Sequence, residues 1–236
     1  MNPLVSFIIP YYNSSDTIEC TINSIIDQSY KNYEIWIIND GSDETSTKKL
    51  DLFKENNKIN IIHQENSGPS IARNNAIKKT NAEYIIPVDA DDEICKNTVT
   101  NNIKHLIENQ SIGVVYGNLK YFGEKEYILN QTKKFELKKQ FLMNQIAICC
   151  IIKKSVFETA GYYDEFLSKP GLEDWEFWIR VFNNGWEFKK VEEVFFKIRL
   201  SEKSRTFEVA NKNLDTIHDY VYKKHSQSLI KEYEKL

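Results

Sequence analysis

Val5-Ser-Phe-Ile-Ile-Pro10, followed at once by the polar turn Tyr11-Tyr12-Asn13, is the first regular segment of the chain. A short apolar run that contains β-branched residues and closes on proline reads as a buried strand. Working outward, Asp16 and Glu19 make a capping-box pattern, and Ile18, Ile22, Ile25 and Ile26 follow at helical spacing. Tyr33 to Ile38 is a second strand, ending in the turn-forming cluster Asn39-Asp40-Gly41-Ser42. A polar helix is expected over residues 44–56, a third strand over Ile59 to His63, and a fourth over Tyr84 to Val88. Between the last two, Ser67-Gly68-Pro69 starts a helix with Pro69 at its first position. Strand–helix alternation with continuously apolar strands predicts a Rossmann-like, mostly parallel α/β sheet covered by helices on both faces. Ligands of such sheets bind beyond the carboxyl ends of the strands. Polar and acidic groups gather at that edge: Tyr11-Tyr12-Asn13, Asn39-Asp40-Gly41-Ser42, Glu65-Asn66 and Asp89-Ala90-Asp91-Asp92.

The second half is less regular. Val114 to Phe122 and Tyr127 to Leu129 read as a small antiparallel region, Ala147 to Ile152 as a buried strand and Val194 to Ile198 as a late one. A helix is expected over Asp174 to Asn183, ending near Gly185, and helices again from Phe207 onward. The expected organisation is one domain over residues 1–206, with a nucleotide-binding half (1–95) and an acceptor-side half (96–206), then a C-terminal helical extension (207–236). At 236 residues, 41% hydrophobic and 28% charged, the chain has ordinary globular composition. A net charge of −3 with scattered basic residues gives no reason to expect nucleic acid. Cys20, Cys95, Cys149 and Cys150 form no Cys-x-x-Cys, so buried free thiols are expected rather than a zinc site. The first strand starts without a basic region and cleavable apolar stretch before it, and no run approaches the roughly 20 apolar residues of a membrane span. A cytoplasmic protein is expected. The amphipathic C-terminal segment leaves open ordinary packing, pairing into a homodimer, or peripheral contact with the inner face of the membrane.

The strongest chemical signal is Asp89-Ala90-Asp91-Asp92. Three carboxylates in four residues repel one another unless a cation or hydrogen-bond donors offset them. Hard oxygen ligands of this kind suit Mg²⁺ or Mn²⁺, which pair one or two carboxylates with substrate phosphates. An acidic turn capping the next helix is the structural alternative, and Asp92 suits it. Asp40 is open to two roles, an Asx-turn with Gly41 and Ser42 or acceptance of the N3–H of uracil.

Val5-Ser-Phe-Ile-Ile-Pro-Tyr-Tyr-Asn13, Asn39-Asp-Gly-Ser42, Asn66-Ser-Gly-Pro-Ser-Ile-Ala-Arg-Asn74 and Asp89-Ala-Asp-Asp92, in that order, closely resemble glycosyltransferase family 2, inverting enzymes of the GT-A fold. Later, Gly171-Leu-Glu-Asp-Trp-Glu-Phe-Trp178 with Arg180 looks like that family's Glu-Asp motif. The resemblance implies that Pro10, Tyr12 and Asn13 line the nucleotide pocket, with Asp40 on the base and Arg73 beside it. It also implies that Asp89 contacts the ribose, Asp91 binds the divalent cation (Mn or Mg) bridging the diphosphate, and Asp174 is the general base. Glu173 beside it would contact sugar or acceptor, as would one edge of Trp175, though packing in the core is the stronger expectation for most of that helix's aromatics. Asp174 also sits where a helix should begin, and a helix-start acid stabilised by the macrodipole remains the alternative for it.

Two departures stand out. Asn39 replaces the first acid of the family's Asp-Asp-Gly-Ser turn, and Phe196-Lys-Ile-Arg199 stands where Tyr-Arg-x-His is common. A histidine ligand is lost there, while Lys197 and Arg199 are available to neutralise diphosphate. The Gln-x-x-Arg-Trp motif of processive synthases is absent, so single-sugar transfer is expected, from a UDP-linked donor to a hydroxyl of a glycan or lipid-linked saccharide. Two rivals are a nucleotide-sugar-forming nucleotidyltransferase, which would want a glycine-rich basic loop where Tyr11-Tyr12-Asn13-Ser14-Ser15 stands, and a non-catalytic binding module, which would need neither Asp91 nor Asp174.

Overall fold

The structure, a computed structural model, describes residues 2–200 and 211–234. Its first half is β1 (Val5–Tyr11), α1 (Ile18–Ile26), β2 (Tyr33–Asp40), α2 (Glu44–Lys49), β3 (Ile59–Gln64), α3 (Pro69–Lys79) and β4 (Tyr84–Pro87). The four strands pair in parallel in the order β3-β2-β1-β4. This is the expected α/β block. β1 lies inside it, and Val5, Phe7, Ile8 and Ile9 are all fully buried, which is why the strand is apolar on both faces.

Helix starts follow local chemistry, with one surprise. Asp43 caps α2 by accepting from Ser46 N at 2.7 Å, and a 3-10 turn (Leu50–Phe53) finishes the stretch expected as one helix. Pro69 occupies the first turn of α3, whose N-cap is Gly68 with φ 88°. Asp16 and Glu19 do not form their capping box. The N-cap of α1 is Thr17, whose hydroxyl donates to the carbonyl of Ala90 at 2.9 Å and so ties α1 to the acidic run.

Beyond β4 the chain makes β5 (Glu93–Ile94), α4 (Thr98–Asn102), α5 (Lys104–Glu108), β6 (Ile112–Gly123), β7 (Tyr127–Leu129), α6 (Leu137–Leu142), β8 (Cys150–Lys153), α7 (Lys154–Ala160), α8 (Glu173–Asn183) and β9 (Glu187–Leu200). β8 inserts antiparallel between β4 and β6, β9 runs parallel to β6, and β5 closes the far edge on β9. The expected hairpin of β6 with β7 is present. β8 begins three residues later than its apolar run, and β9 is far longer than the expected Val194 to Ile198.

The C-terminal helices are α9 (Leu214–Lys224) and α10 (Ser226–Tyr233); the start expected at Phe207 lies outside the described residues. Ile217 and Val221 of α9 are buried with Leu137 and Phe141 of α6 and Trp175 and Ile179 of α8, a small second core beside the main one. All four cysteines are free, and Cys20, against expectation, is exposed. No helix among the described residues is long and apolar enough to cross a membrane.

Candidate functional site

At the carboxyl ends of β1 and β2 the two turns are stitched together. Asn13 adopts a left-handed φ of 49°, its amide oxygen accepts from Asp43 N at 2.8 Å, and its own N–H donates to Ser42 Oγ at 3.1 Å. Asn tolerates this backbone region better than most residues. Tyr12 projects into solvent, 52% exposed, and Pro10 is half-buried. The Asx-turn role open to Asp40 is taken by Asn39, whose Oδ1 accepts from Ser42 N at 3.1 Å. Asp40 is buried and turned to the next loop, accepting from Gln64 Nε2, Ser67 N and Gly68 N, each at 2.8 Å. Its carboxylate thus builds the 67–68 turn that starts α3. Oδ2, with Gly68 N alone among these donors, keeps acceptor capacity.

The acidic run follows β4. Burial, then the charge of Asp89, push the carboxyl of Asp91 up to about 6, with Arg199 pulling the other way. Burial and both neighbouring aspartates hold Asp92 well above the ordinary carboxylate range. Asp92 serves the fold, because its Oδ1 accepts from Arg199 N at 3.0 Å, while Arg199 Nε donates to the carbonyl of Asp91 at 3.3 Å. Lys197 pairs with Glu93 at 3.0 Å, so β9 brings both expected cations alongside the acidic run. Among the described residues no group of three or more His, Cys, Asp or Glu side chains is placed to hold a metal. The donors that the acidic run offers are hard carboxylate oxygens, a chemistry that fits Mg²⁺ or Mn²⁺, and Asp91 is an anion that its surroundings disfavour.

Arg73 joins this edge to α8. It is 3% exposed; Nη2 meets Asp89 Oδ1 at 2.6 Å and Nη1 meets Glu173 Oε1 at 2.5 Å. Burial alone would depress the guanidinium, and the two carboxylates more than restore it. Arg73, expected beside the base, is here an internal bridge. Glu173, expected on sugar or acceptor, is buried in that bridge.

Asp174 is the next residue. Gly171 and Leu172 both take left-handed backbone, at φ 100° and 58°, so the chain breaks sharply into α8 just before the two acids. Such a conformation costs a non-glycine residue about 1 kcal/mol or more and gathers at functional sites. Asp174 is half-buried; Oδ1 accepts from Trp175 N at 2.9 Å and Oδ2 from Asn144 Nδ2 at 2.8 Å. Burial, then the charge of Glu173, raise its carboxyl to about 7 against those two donors and Arg73. The helix-start alternative is thus partly realised, and it coexists with a carboxyl poised to exchange a proton near neutrality. Trp175 is the clear correction. It is 1% exposed, its indole N–H donates to the carbonyl of Gln140, and its ring packs against His218 in the second core, so it offers no edge to a ligand. Asn144 and Gln140 are not legible as site residues in the sequence. Their signal is faint, two amides four apart at the end of a short helix.

A family model for Glycosyl transferase family 2 matches residues 6–166. The chain belongs to that family. Among curated glycosyltransferase relatives, an uncharacterized glycosyltransferase of Rickettsia bellii (strain RML369-C) is 28% identical over 211 residues, covering 88% of this chain and 30% of its own length. RP339 of Rickettsia prowazekii (strain Madrid E), another uncharacterized glycosyltransferase, is 29% identical over 234 residues, covering 93% of this chain and 70% of its own length. Poly-beta-1,6-N-acetyl-D-glucosamine synthase of Staphylococcus aureus (strain MW2) is 27% identical over 197 residues, with 78% of this chain and 48% of the synthase covered. The chain spans only 30–35% of the length of the first three curated relatives it matches. Among solved structures, S. aureus TarS 1-349 in complex with UDP-GlcNAc superimposes with a TM-score of 0.73 at 19% identity, covering 87% of this chain and 61% of that one. Mannosyltransferase PcManGT from Pyrobaculum calidifontis, in complex with GDP-Man and Mn²⁺, gives 0.68 at 17% identity, covering 86% and 59%. The fold shared with these solved structures is the GT-A fold.

Proposed function

We propose that this family 2 protein is an inverting glycosyltransferase that moves one sugar from a nucleotide-sugar donor, UDP-linked, to a hydroxyl of a glycan or lipid-linked saccharide. The observation that carries the reading is the double ion pair of Arg73, which holds Asp89 of the acidic run and the start of α8 to one guanidinium. Acids 85 positions apart in the chain, Asp89 and Asp174, are thereby kept on one edge of the sheet. The neighbours bound to UDP-GlcNAc or GDP-Man and Mn²⁺ agree with a nucleotide-sugar donor and a cation.

In this reading Pro10, Tyr12 and Asn13 line the nucleoside pocket, Asp40 Oδ2 accepts from the base, and Asp89 contacts the ribose. Asp91 holds a divalent cation, Mn or Mg, which when bound neutralises charge on the departing diphosphate. Lys197 and Arg199 add positive charge on the same side. Inversion requires the acceptor hydroxyl to attack C1 opposite the leaving group, and Asp174 takes its proton. A base near 7 is half ionised at neutral pH and still able to accept, a role worth about 10²–10⁴-fold. Polysaccharide or glycoconjugate assembly on the cytoplasmic side is the setting this chemistry suits.

The test is donor hydrolysis and transfer over a panel of UDP- and GDP-sugars with Mn²⁺. Asp91→Asn should abolish metal-dependent donor binding. Asp174→Asn should keep UDP binding and lose transfer by about 10²-fold or more. Wild-type transfer by Asp174→Asn would overturn the base assignment, and full activity in excess chelator would overturn the metal role.

A further inference from the structure

The orientation of one side-chain amide near Asp174 can be worked out from backbone contacts alone. Gln140 is fully buried; its Oε1 accepts from Gln145 N at 3.0 Å, which only a carbonyl oxygen can do. Its Nε2 must then be the donor to the carbonyl of Trp175 at 3.0 Å, a group that only accepts. The same Nε2 lies 3.1 Å from Asn144, so the atom of Asn144 facing it is the oxygen, Oδ1. That leaves Nδ2 of Asn144 toward Asp174 Oδ2, at 2.8 Å. Asn144 cannot flip to accept from Asp174 without setting two donors against each other.

We infer that Asn144, locked by Gln140, is a positioning residue that holds Asp174 in its ionised form and aims it. The inference rests on Asp174 being the base. A side chain able to donate only stabilises the carboxylate more than the protonated acid, whose oxygens are weaker acceptors. Other groups around Asp174 push in both directions: Glu173 on its own helix opposes ionisation, Arg73 of α3 favours it, and Cys150 of β8 and Tyr163 feel its charge. Asn144 is the neutral donor to it from α6's side of the site. Gln140 also accepts the indole N–H of Trp175 through its carbonyl, so the second core, including α9, fixes where Asn144 sits.

Asn144 is half-buried at the end of α6, so its truncation should be tolerated by the fold. The experiment follows Asp174 directly, by carboxyl ¹³C NMR titration of aspartate-labelled protein with Asp174→Asn for assignment, and in parallel by the pH dependence of UDP-sugar turnover. Asn144→Ala should move the Asp174 midpoint up by about one to two pH units, the worth of a hydrogen bond to a charged group. The acid limb of turnover should move with it: about tenfold lower at pH 6, close to wild type at pH 9, with UDP affinity unchanged. Asn144→Asp, which adds a second carboxylate, should shift the midpoint further. An Asp174 midpoint that stays put in both variants overturns the inference. A midpoint that moves while the acid limb does not upholds the Asn144–Asp174 pairing and overturns the base assignment beneath it.

Discussion

Replacing Arg73 with methionine separates the two halves of its bridge, because their environments differ. The side chain of Glu173 is 6% exposed, whereas that of Asp89 is 42% exposed. Removing the guanidinium takes from the buried Glu173 its ion pair with Arg73, and breaking a buried pair costs about 3–5 kcal/mol. The same loss at Asp89 leaves a carboxylate that water can solvate, worth about 0–1 kcal/mol. Arg73→Met should therefore lose about 3–5 kcal/mol, nearly all of it through Glu173. Arg73→Met combined with Glu173→Gln should recover more than half of that, since the buried charge that lost its Arg73 pair is then removed as well. Combined with Asp89→Asn, Arg73→Met should recover almost nothing. The assay is urea unfolding followed by tryptophan fluorescence, with slopes checked for constancy before midpoints are converted. Two double-mutant cycles then give the coupling of Arg73 to each acid. Equal couplings, or a larger one to Asp89, would refute the claim that burial at Glu173 decides the energetics.

Three further outcomes follow from the same structure. The fully buried Glu176 accepts from Arg180 and meets Lys224 and His225; despite burial these partners lower its carboxyl to about 2. A depressed carboxyl stabilises the fold above its unfolded value and is lost as pH falls toward 2, so Glu176→Gln should flatten the fall in melting temperature between pH 5 and 2.5, an effect of about 3 kcal/mol. Asp174 has the opposite sign: its stabilising contribution is present below its unfolded value and disappears as pH rises through about 7. Asp174→Asn should therefore match wild type near pH 4 and melt higher at pH 8, by at most about 4 kcal/mol in thermal unfolding. Gly68→Ala should destabilise by about 2 kcal/mol or more in urea, because φ is 88° and a Cβ would sit 2.5 Å from Ser168 Oγ and 2.7 Å from its backbone oxygen; an unchanged midpoint would contradict this.

The parallel block is readable in the sequence because β1 and β4 are buried on both faces and the strands, β2 included, are mostly apolar runs. Only about a third of β9 is legible, because Glu187-Phe-Lys-Lys-Val-Glu-Glu mixes charged and apolar residues, and several of these lie half-exposed along β6. No local pattern reveals that β8 inserts between β4 and β6, since strand order is set by packing across long separations. At the site, the acidic run announces itself as a cluster of like charges ending an apolar strand. The bridge of Arg73 does not, because each ion pair needs the folded chain to exist. The burial of Trp175 is hidden for a related reason: α8 is apolar around much of its circumference, and the residues that bury this ring come from α6 and α9.

The acidic run also has a place in time. Asp92 waits 107 positions for Arg199, Glu93 waits 104 for Lys197, and Arg73 waits 100 for Glu173. At about 5–20 residues per second of synthesis, the gap is on the order of ten seconds. The parallel block can form early from near neighbours, but contacts of this separation must first meet the entropy of closing a long loop. The chemistry-bearing edge is therefore completed only after the parallel block, when β9 has been made. Until β9 arrives, Asp91 and Asp92 lack Arg199, and Arg73, through Asp89, is the cation already at hand for the three carboxylates.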